Sequence, residues 1–284
     1  MKDYIGIIKA YLALMRVKNG TIAFFGVFVG AAIMTGNFPF DFYIIVAGIS
    51  AFLILSGGNA LNDYFDYRID KINKPGRPLP SKKIARSDAM MFAISIFVIG
   101  VAAAHLINQY CFYLSIINSV ILIVYAKYSK QVVVLPNLAI SYLVASVFIF
   151  GALTVIYENL TGNYTLLFIM FTCAFFMTLA REITKDIEDI EGDRSVNSLT
   201  IPIKFGEVSA VKLAALSTLS AIILSAIPYF LNLLTNNNPY LFFIIIADSI
   251  FIFSLTQDAE KSSKIMIYGM FAAMVGFFFG VINI

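Results

Sequence analysis

Charge is scarce in this sequence. Lys, Arg, Asp and Glu make up 13% of its 284 residues and hydrophobic residues 60%, against roughly 25% charged in a soluble globular domain. That deficit excludes an ordinary water-soluble fold. Strict alternation of apolar and polar residues is missing as well, which argues against a β-barrel. The two cysteines, Cys111 and Cys173, fall inside or at the edge of apolar runs. They read as small buried side chains, and neither a disulfide framework nor a thiolate metal site is implied. The single histidine, His105, stands near the end of an apolar run and reads as structural. Lys2, Lys9 and Arg16 spread through an amphipathic lead-in, and no small-residue cleavage site follows the first apolar run. A cleaved signal is therefore not expected.

What remains is one apolar run after another, at residues 17–34, 42–61, 89–106, 110–125, 132–155, 166–179, 208–231, 240–255 and 265–282. Each is near the ~20 residues that cross a bilayer. The expected fold is an all-α polytopic membrane protein of about nine transmembrane helices in one bundle. Basic residues test the count. With the N-terminus on the cytoplasmic side, all 20 Lys and Arg fall in the lead-in or in loops on that side, and the opposite loops hold none. Basic residues favour the cytoplasmic face, and one miscounted span would scramble this segregation. An integral, multi-pass cell-membrane protein follows, with its N-terminus and long loops cytoplasmic. The sequons at Asn159 and Asn163 lie on the outer side, though such triplets are common by chance.

No Gly/Ser-rich or low-complexity linker interrupts the chain, so residues 1–284 read as one domain. Two cytoplasmic connections are long, about 62–88 and 181–207, and long ordered connections tend to carry function. Each opens on an acidic helix end and closes through Pro: "NDYFDYRIDKINKPGRPLP" and "REITKDIEDIEGDRSVNSLTIP". Four spans separate them, a spacing that suits a duplicated bundle. At about 100° per residue, Asn62, Asp66 and Asp70 sweep about 80° of a helix, with Asp63 about 100° from Asn62. Glu182, Asp186, Asp189 and Asp193 fall within about 60°. Each segment thus predicts a column of carboxylates at the cytoplasmic end of a span.

Carboxylates stacked this way repel one another. They are either solvated helix ends beside basic loops or ligands for a cation, and the repetition of the same facing pattern favours the second. Oxygen donors of this kind suit Mg²⁺, which takes one or two carboxylates and completes its shell with water and phosphate. Arg68, Lys74, Arg77, Lys82, Lys127, Arg181 and Lys185 would neutralise a multiply charged phosphate bridging two ions. Other intramembrane charge is nearly absent. Asp248 is the exception, either functional or bonded to a neighbouring helix. A transporter would gather ionisable groups near the midplane, and a membrane phosphotransferase would carry a DGxxAR-type signature that is missing here.

"NDYFDYRID" resembles the NDxxDxxxD signature of the UbiA superfamily of intramembrane prenyltransferases, and "DIEGD" its DxxxD signature. Within it, "INKPGRPLPS", "REITKDIEDIEGD" and "LTIPIKFG" look most like the archaeal digeranylgeranylglyceryl phosphate synthases. Lys82-Lys83 departs from the Gly that relatives often carry after Ser81. The resemblance implies a central cavity open to the cytoplasmic side and two Mg²⁺ ions bridged by the substrate diphosphate. Asn62, Asp63, Asp66 and Asp70 would hold one ion, and Asp186, Asp189 and Asp193 the other. Lys74, Arg77, Lys127, Arg181 and Lys185 would bind the substrates, with Tyr125, Asn137 and Ser141. Asp66, Asp70, Asp186 and Asp189 would be catalytic, and Glu182 or Asp186 the base. Tyr67, Tyr125 and Tyr142 are plausible faces for an allylic cation. The implied reaction moves geranylgeranyl from its diphosphate to geranylgeranylglyceryl phosphate, a step of archaeal ether-lipid synthesis, and Arg16, Lys18 and Arg181 are spare cations for that second phosphate. An aromatic acceptor of quinone or pigment synthesis, and more remotely a cation transporter, are the alternatives. The partners expected are a prenyl diphosphate, a lipid-like phosphate acceptor and membrane lipids; neither nucleic acid nor an obligate protein partner is inferred.

Overall fold

The structure is a computed structural model that describes residues 4–129, 131–157, 162–195 and 197–283. The sequon at Asn159 and the basic residues Lys2 and Lys130 lie outside the described residues. Among the described residues the regular secondary structure is all helical. The helices are α1 (Tyr4–Met15), α2 (Val17–Thr35), α3 (Phe42–Phe65), α4 (Tyr67–Asn73), α5 (Arg86–His105), α6 (Gln109–Tyr128) and α7 (Leu135–Thr154). They continue with α8 (Tyr164–Glu188), α9 (Ile190–Ser195), α10 (Ile201–Phe205), α11 (Glu207–Phe230), α12 (Asn237–Ser254) and α13 (Ala259–Val281). Among the described residues nine helices are long and apolar enough to cross a membrane: α2, α3, α5, α6, α7, α8, α11, α12 and α13. They coincide with the nine apolar runs of the sequence. The chain forms an integral, multi-pass membrane protein.

Local chemistry sets the helix ends. The side chains of Asn108, Asn163 and Asp258 accept from the backbone N–H groups of Cys111, Leu166 and Lys261, each satisfying a donor that the first turn leaves over. Asn163 also donates to the Leu233 carbonyl, so the described sequon asparagine works as a helix cap and a loop tie. Pro136 lies in the first turn of α7, where its missing N–H costs nothing.

The helices collect into two compact units, Met1–Phe25 with Ile45–Ser129, and Gly26–Ile44 with Lys130–Ile284. In the first, the Asn59 side chain donates to the Met15 carbonyl at 3.2 Å, fixing the end of α1. Tyr11 packs on Phe92 with ring centroids 4.9 Å apart, and the Ser50 hydroxyl donates to the Gly100 carbonyl at 2.7 Å. In the second unit α8 packs against α7, α11 and α13, and α12 against α13. One cluster there joins Val133, Leu179, Ile183, Ile201, Ala210 and Ala214; another joins Met177, Ala180, Ala221, Ala247, Phe251 and Met266. The close approach of α2 and α7 depends on two glycines. A Cβ on Gly30 would collide with the Phe148 carbonyl oxygen, and one on Gly151 with that of Val27. Small residues let backbones meet where lipid supplies no hydrophobic drive.

Candidate active site

The first acidic row sits where α3 passes into α4. Asp66 separates the two helices, yet the backbone ladder runs on: Asp66 N–H to Asn62 at 2.9 Å, Asp70 N–H to Asp66 at 2.8 Å, Lys74 N–H to Asp70 at 2.9 Å. Helical spacing therefore survives through the whole motif, and Asn62, Asp66 and Asp70 keep their common face. The side chains divide into two kinds. Asp63 and Asp70 are buried, at 3% and 4% exposure. Arg16 donates to Asp63 Oδ1 at 2.7 Å, while Arg77 donates to the same oxygen at 3.1 Å and to Asp70 Oδ2 at 2.7 Å. Two guanidiniums against two carboxylates make a neutral, interlocked group, the condition under which charge survives burial. Asn62 and Asp66 are only half-buried, and the Asn62 amide donates to Asp66 Oδ2 at 2.8 Å.

Arg77 is held by its own loop. Its N–H bonds the Lys74 carbonyl, its carbonyl accepts from Ser81 N–H, and the buried Leu79 anchors the turn between two prolines. Lys82, where relatives often have Gly, has φ +60°. The backbone there asks for the left-handed region that glycine enters at no steric cost. Lys74 and Lys127 are exposed, and Lys127 lies 5.1 Å over the Tyr128 ring. Tyr125, on the same helix end, is half-buried. The Tyr67 ring carries Lys71 at 4.5 Å and Arg86 at 4.9 Å. The ring expected to meet an allylic cation thus already has two local cations near it.

The second row, at the end of α8, also keeps its ladder: Asp189 N–H bonds Lys185 O and Asp193 N–H bonds Asp189 O, both at 2.9 Å. Glu182, Asp186, Asp189 and Asp193 therefore share a face as predicted. Glu182 accepts from Lys185 through both oxygens, at 3.1 and 2.9 Å, and from Arg181 at 3.1 Å. Arg181 is further tied through Nε to the Ser263 carbonyl at 3.1 Å. Asp186 accepts from the buried Asn137 amide at 2.8 Å, and Ser141, fully buried, donates to the Asn137 carbonyl at 2.7 Å. Asn137 and Ser141, expected at the substrate, thus form a hydrogen-bonded column that ends on Asp186. Asp189 is exposed and Asp193 buried.

Asp248 does bond a neighbouring helix. Ser225 on α11 donates to it at 3.1 Å, and the Tyr240 hydroxyl donates to the Ser225 carbonyl at 2.6 Å. It joins two spans.

Among the described residues, no three of His, Cys, Asp and Glu converge on one point as a ready-made metal cage. Mg²⁺ needs none, since one or two carboxylates with water and substrate phosphate complete its octahedron. The donor set is all oxygen, and Asn62 and Asp66 are half-buried on the helix end whose Asp63 and Asp70 are bridged by Arg77, a residue type suited to phosphate. The residues present fit that ion.

Residues 23–277 match the UbiA prenyltransferase family. The digeranylgeranylglyceryl phosphate synthase of Methanococcus aeolicus is 41% identical over 90% of this chain and 89% of its own. That of Methanosarcina mazei is 38% identical over 96% of this chain and 99% of its own. A solved structure described as digeranylgeranylglyceryl phosphate synthase in membranes superposes with a TM-score of 0.77 at 34% identity, covering 98% of this chain and 99% of that one. A UbiA homolog from Archaeoglobus fulgidus, bound to GPP and Mg²⁺, has the same fold with a TM-score of 0.71 at 17% identity, covering 97% of this chain and 100% of that one.

Proposed function

The chain belongs to the UbiA prenyltransferase family, and from that premise we propose that it transfers geranylgeranyl from geranylgeranyl diphosphate to geranylgeranylglyceryl phosphate. The observation that carries this reading is the row Asn62–Asp66 at the end of an apolar span, flanked by an arginine locked between two buried aspartates. Such an end meets a diphosphate in water while the prenyl tail stays among apolar helices. The choice of acceptor rests on the name borne by relatives about 40% identical along nine-tenths of both chains.

Departure of diphosphate from an allylic carbon gathers negative charge on the leaving group. Mg²⁺, when bound, neutralises that charge and so lowers the barrier. Asn62 and Asp66 are our choice of ligands on the first row, and Asp189 with Asp193 on the second, for two ions in all. Asp63 and Asp70 act one layer behind, keeping Arg77 rigid and aimed. Arg77, Lys74, Lys127 and Lys185 hold the diphosphate oxygens. The apolar spans exclude water, which would otherwise quench the allylic cation. The acceptor hydroxyl gives its proton to Asp186, oriented by Asn137; Glu182 has both oxygens committed to cations and is set aside as the base. The active-site loops, on this reading, face the cytoplasm.

The test incubates purified protein with Mg²⁺, geranylgeranyl diphosphate and a panel of acceptors, with products identified by mass. The expected product is the doubly prenylated glyceryl phosphate. Product with an aromatic acceptor alone would replace this assignment, and absence of any diphosphate release would end it.

A further inference from the structure

The cations of the two rows differ in how they are already held. Arg77 spans two aspartates, Arg181 is split between Glu182 and Ser263, and Lys185 grips both oxygens of Glu182. The junction of α1 and α2 differs. Lys18 is exposed, and its side chain makes no hydrogen bond or ion pair among the described residues. Arg16 commits one nitrogen to Asp63 and keeps a third of its side chain exposed. Both border an open hollow of about 600 Å³ walled by Leu12, Ala13, Arg16, Val17, Lys18 and Asn19. Its wall is apolar on the α1 side and doubly cationic at the junction.

Two further features belong to this junction. Arg16 has φ +51°, a left-handed backbone that side-chain-bearing residues rarely adopt, held by the Asn19 and Gly20 N–H groups on its carbonyl. Strain of this kind persists where the surrounding structure over-determines it, and it clusters at functional sites. The α1 helix turns Tyr4, Ile5, Ile8 and Leu12 outward, an apolar stripe at i, i+4, i+8 that suits a lipid chain. The stripe ends at the hollow.

We propose that this hollow is the phosphate subsite for the acceptor lipid, whose phosphate is taken by Lys18 and the uncommitted face of Arg16 while its chain follows the α1 stripe. The assignment rests on the reading of the acceptor as a glyceryl phosphate. Arg16 also touches the first acidic row through Asp63. The hydroxyl and phosphate of the acceptor share one glycerol backbone, so a phosphate held here keeps the hydroxyl within reach of that row.

Steady-state kinetics of the full chain in detergent, with Mg²⁺, distinguishes this phosphate from that of the donor. Lys18→Ala is expected to raise the acceptor KM about tenfold, the loss of one charge-assisted contact, with the donor KM and kcat little changed. Lys18→Arg restores it. An acceptor bearing a hydroxyl in place of the phosphate responds equally in wild type and Lys18→Ala. Retention of radiolabelled geranylgeranylglyceryl phosphate on a filter, in EDTA and without donor, falls by the same factor. The proposal is overturned if Lys18→Ala and Lys18→Glu both leave acceptor KM and EDTA binding within about twofold of wild type, or if the rise falls on the donor KM. A wild-type protein that makes no ether from any glyceryl phosphate defeats the functional reading itself, and is recognised before any variant is compared.

Discussion

Asp63 and Asp66 are near neighbours in sequence and differ in burial and partners. Asp63 is the shared partner of Arg16 and Arg77, so its removal leaves two cations without a counter-charge. Asp63→Ala should lower stability by about 2–3 kcal/mol, discounted from the cost of breaking a buried pair because both arginines remain partly exposed; thermal melts in detergent measure it. Asp66→Ala should melt near wild type while losing Mg²⁺-dependent transfer altogether. Near-normal turnover by Asp66→Ala would remove the metal assignment. Sequence alone could not separate the two residues. Both are carboxylates of one helix end, and what distinguishes them is an arginine 47 positions away. At Lys82 the departure from glycine has a meaning that backbone geometry explains. With φ +60°, Lys82→Gly should stabilise the protein by ~0.5–1 kcal/mol, through relief of left-handed strain offset by glycine's larger entropy loss. Unchanged or lowered stability in the melt would contradict that account.

Whole helices were the most legible feature, because a bilayer imposes one length and one composition on every span. Helical i, i+4 spacing likewise carried both acidic rows correctly through breaks at Asp66 and Asp189, since the backbone bonds continue across them. Tertiary pairing was hidden. Asn137 reaches Asp186 across 49 residues, and nothing local in either segment announces it; a polar residue in an apolar span is the signal, but not its partner. Where α2 meets α7 the glycines were ordinary members of apolar runs until the backbones were seen to touch. Gly151→Ala should therefore cost at least ~3 kcal/mol, at the top of the range for overpacking, because the added methyl meets a main-chain oxygen rather than a flexible side chain. Gly76, with nothing within 4 Å of an added Cβ, should accept Ala within about 0.5 kcal/mol. Equal melting temperatures for the two variants would count against the close approach.

At the scale of the whole molecule, the question is what holds the protein together before substrate arrives. Asp63 and Asp70 already have arginine partners, Glu182 has Lys185 and Arg181, and Asp186 has Asn137. Much of the carboxylate repulsion that the sequence advertises is thus answered within the fold, and metal is not required to relieve it. Removing divalent ions with EDTA should abolish transfer and leave the melting temperature nearly unchanged. Added Mg²⁺ alone should shift the melt little, because one or two protein carboxylates bind a hydrated ion weakly without phosphate to complete its shell. Mg²⁺ together with a non-hydrolysable prenyl diphosphate should raise it by several degrees, since a ligand at a hundred times its Kd adds about 2.7 kcal/mol to the folded state. The diagnostic quantity is the non-additivity: the joint shift should exceed the sum of the separate ones. A full shift from Mg²⁺ alone would mean a preformed metal cage, and the division of the acidic rows into arginine holders and metal ligands would have to be redrawn.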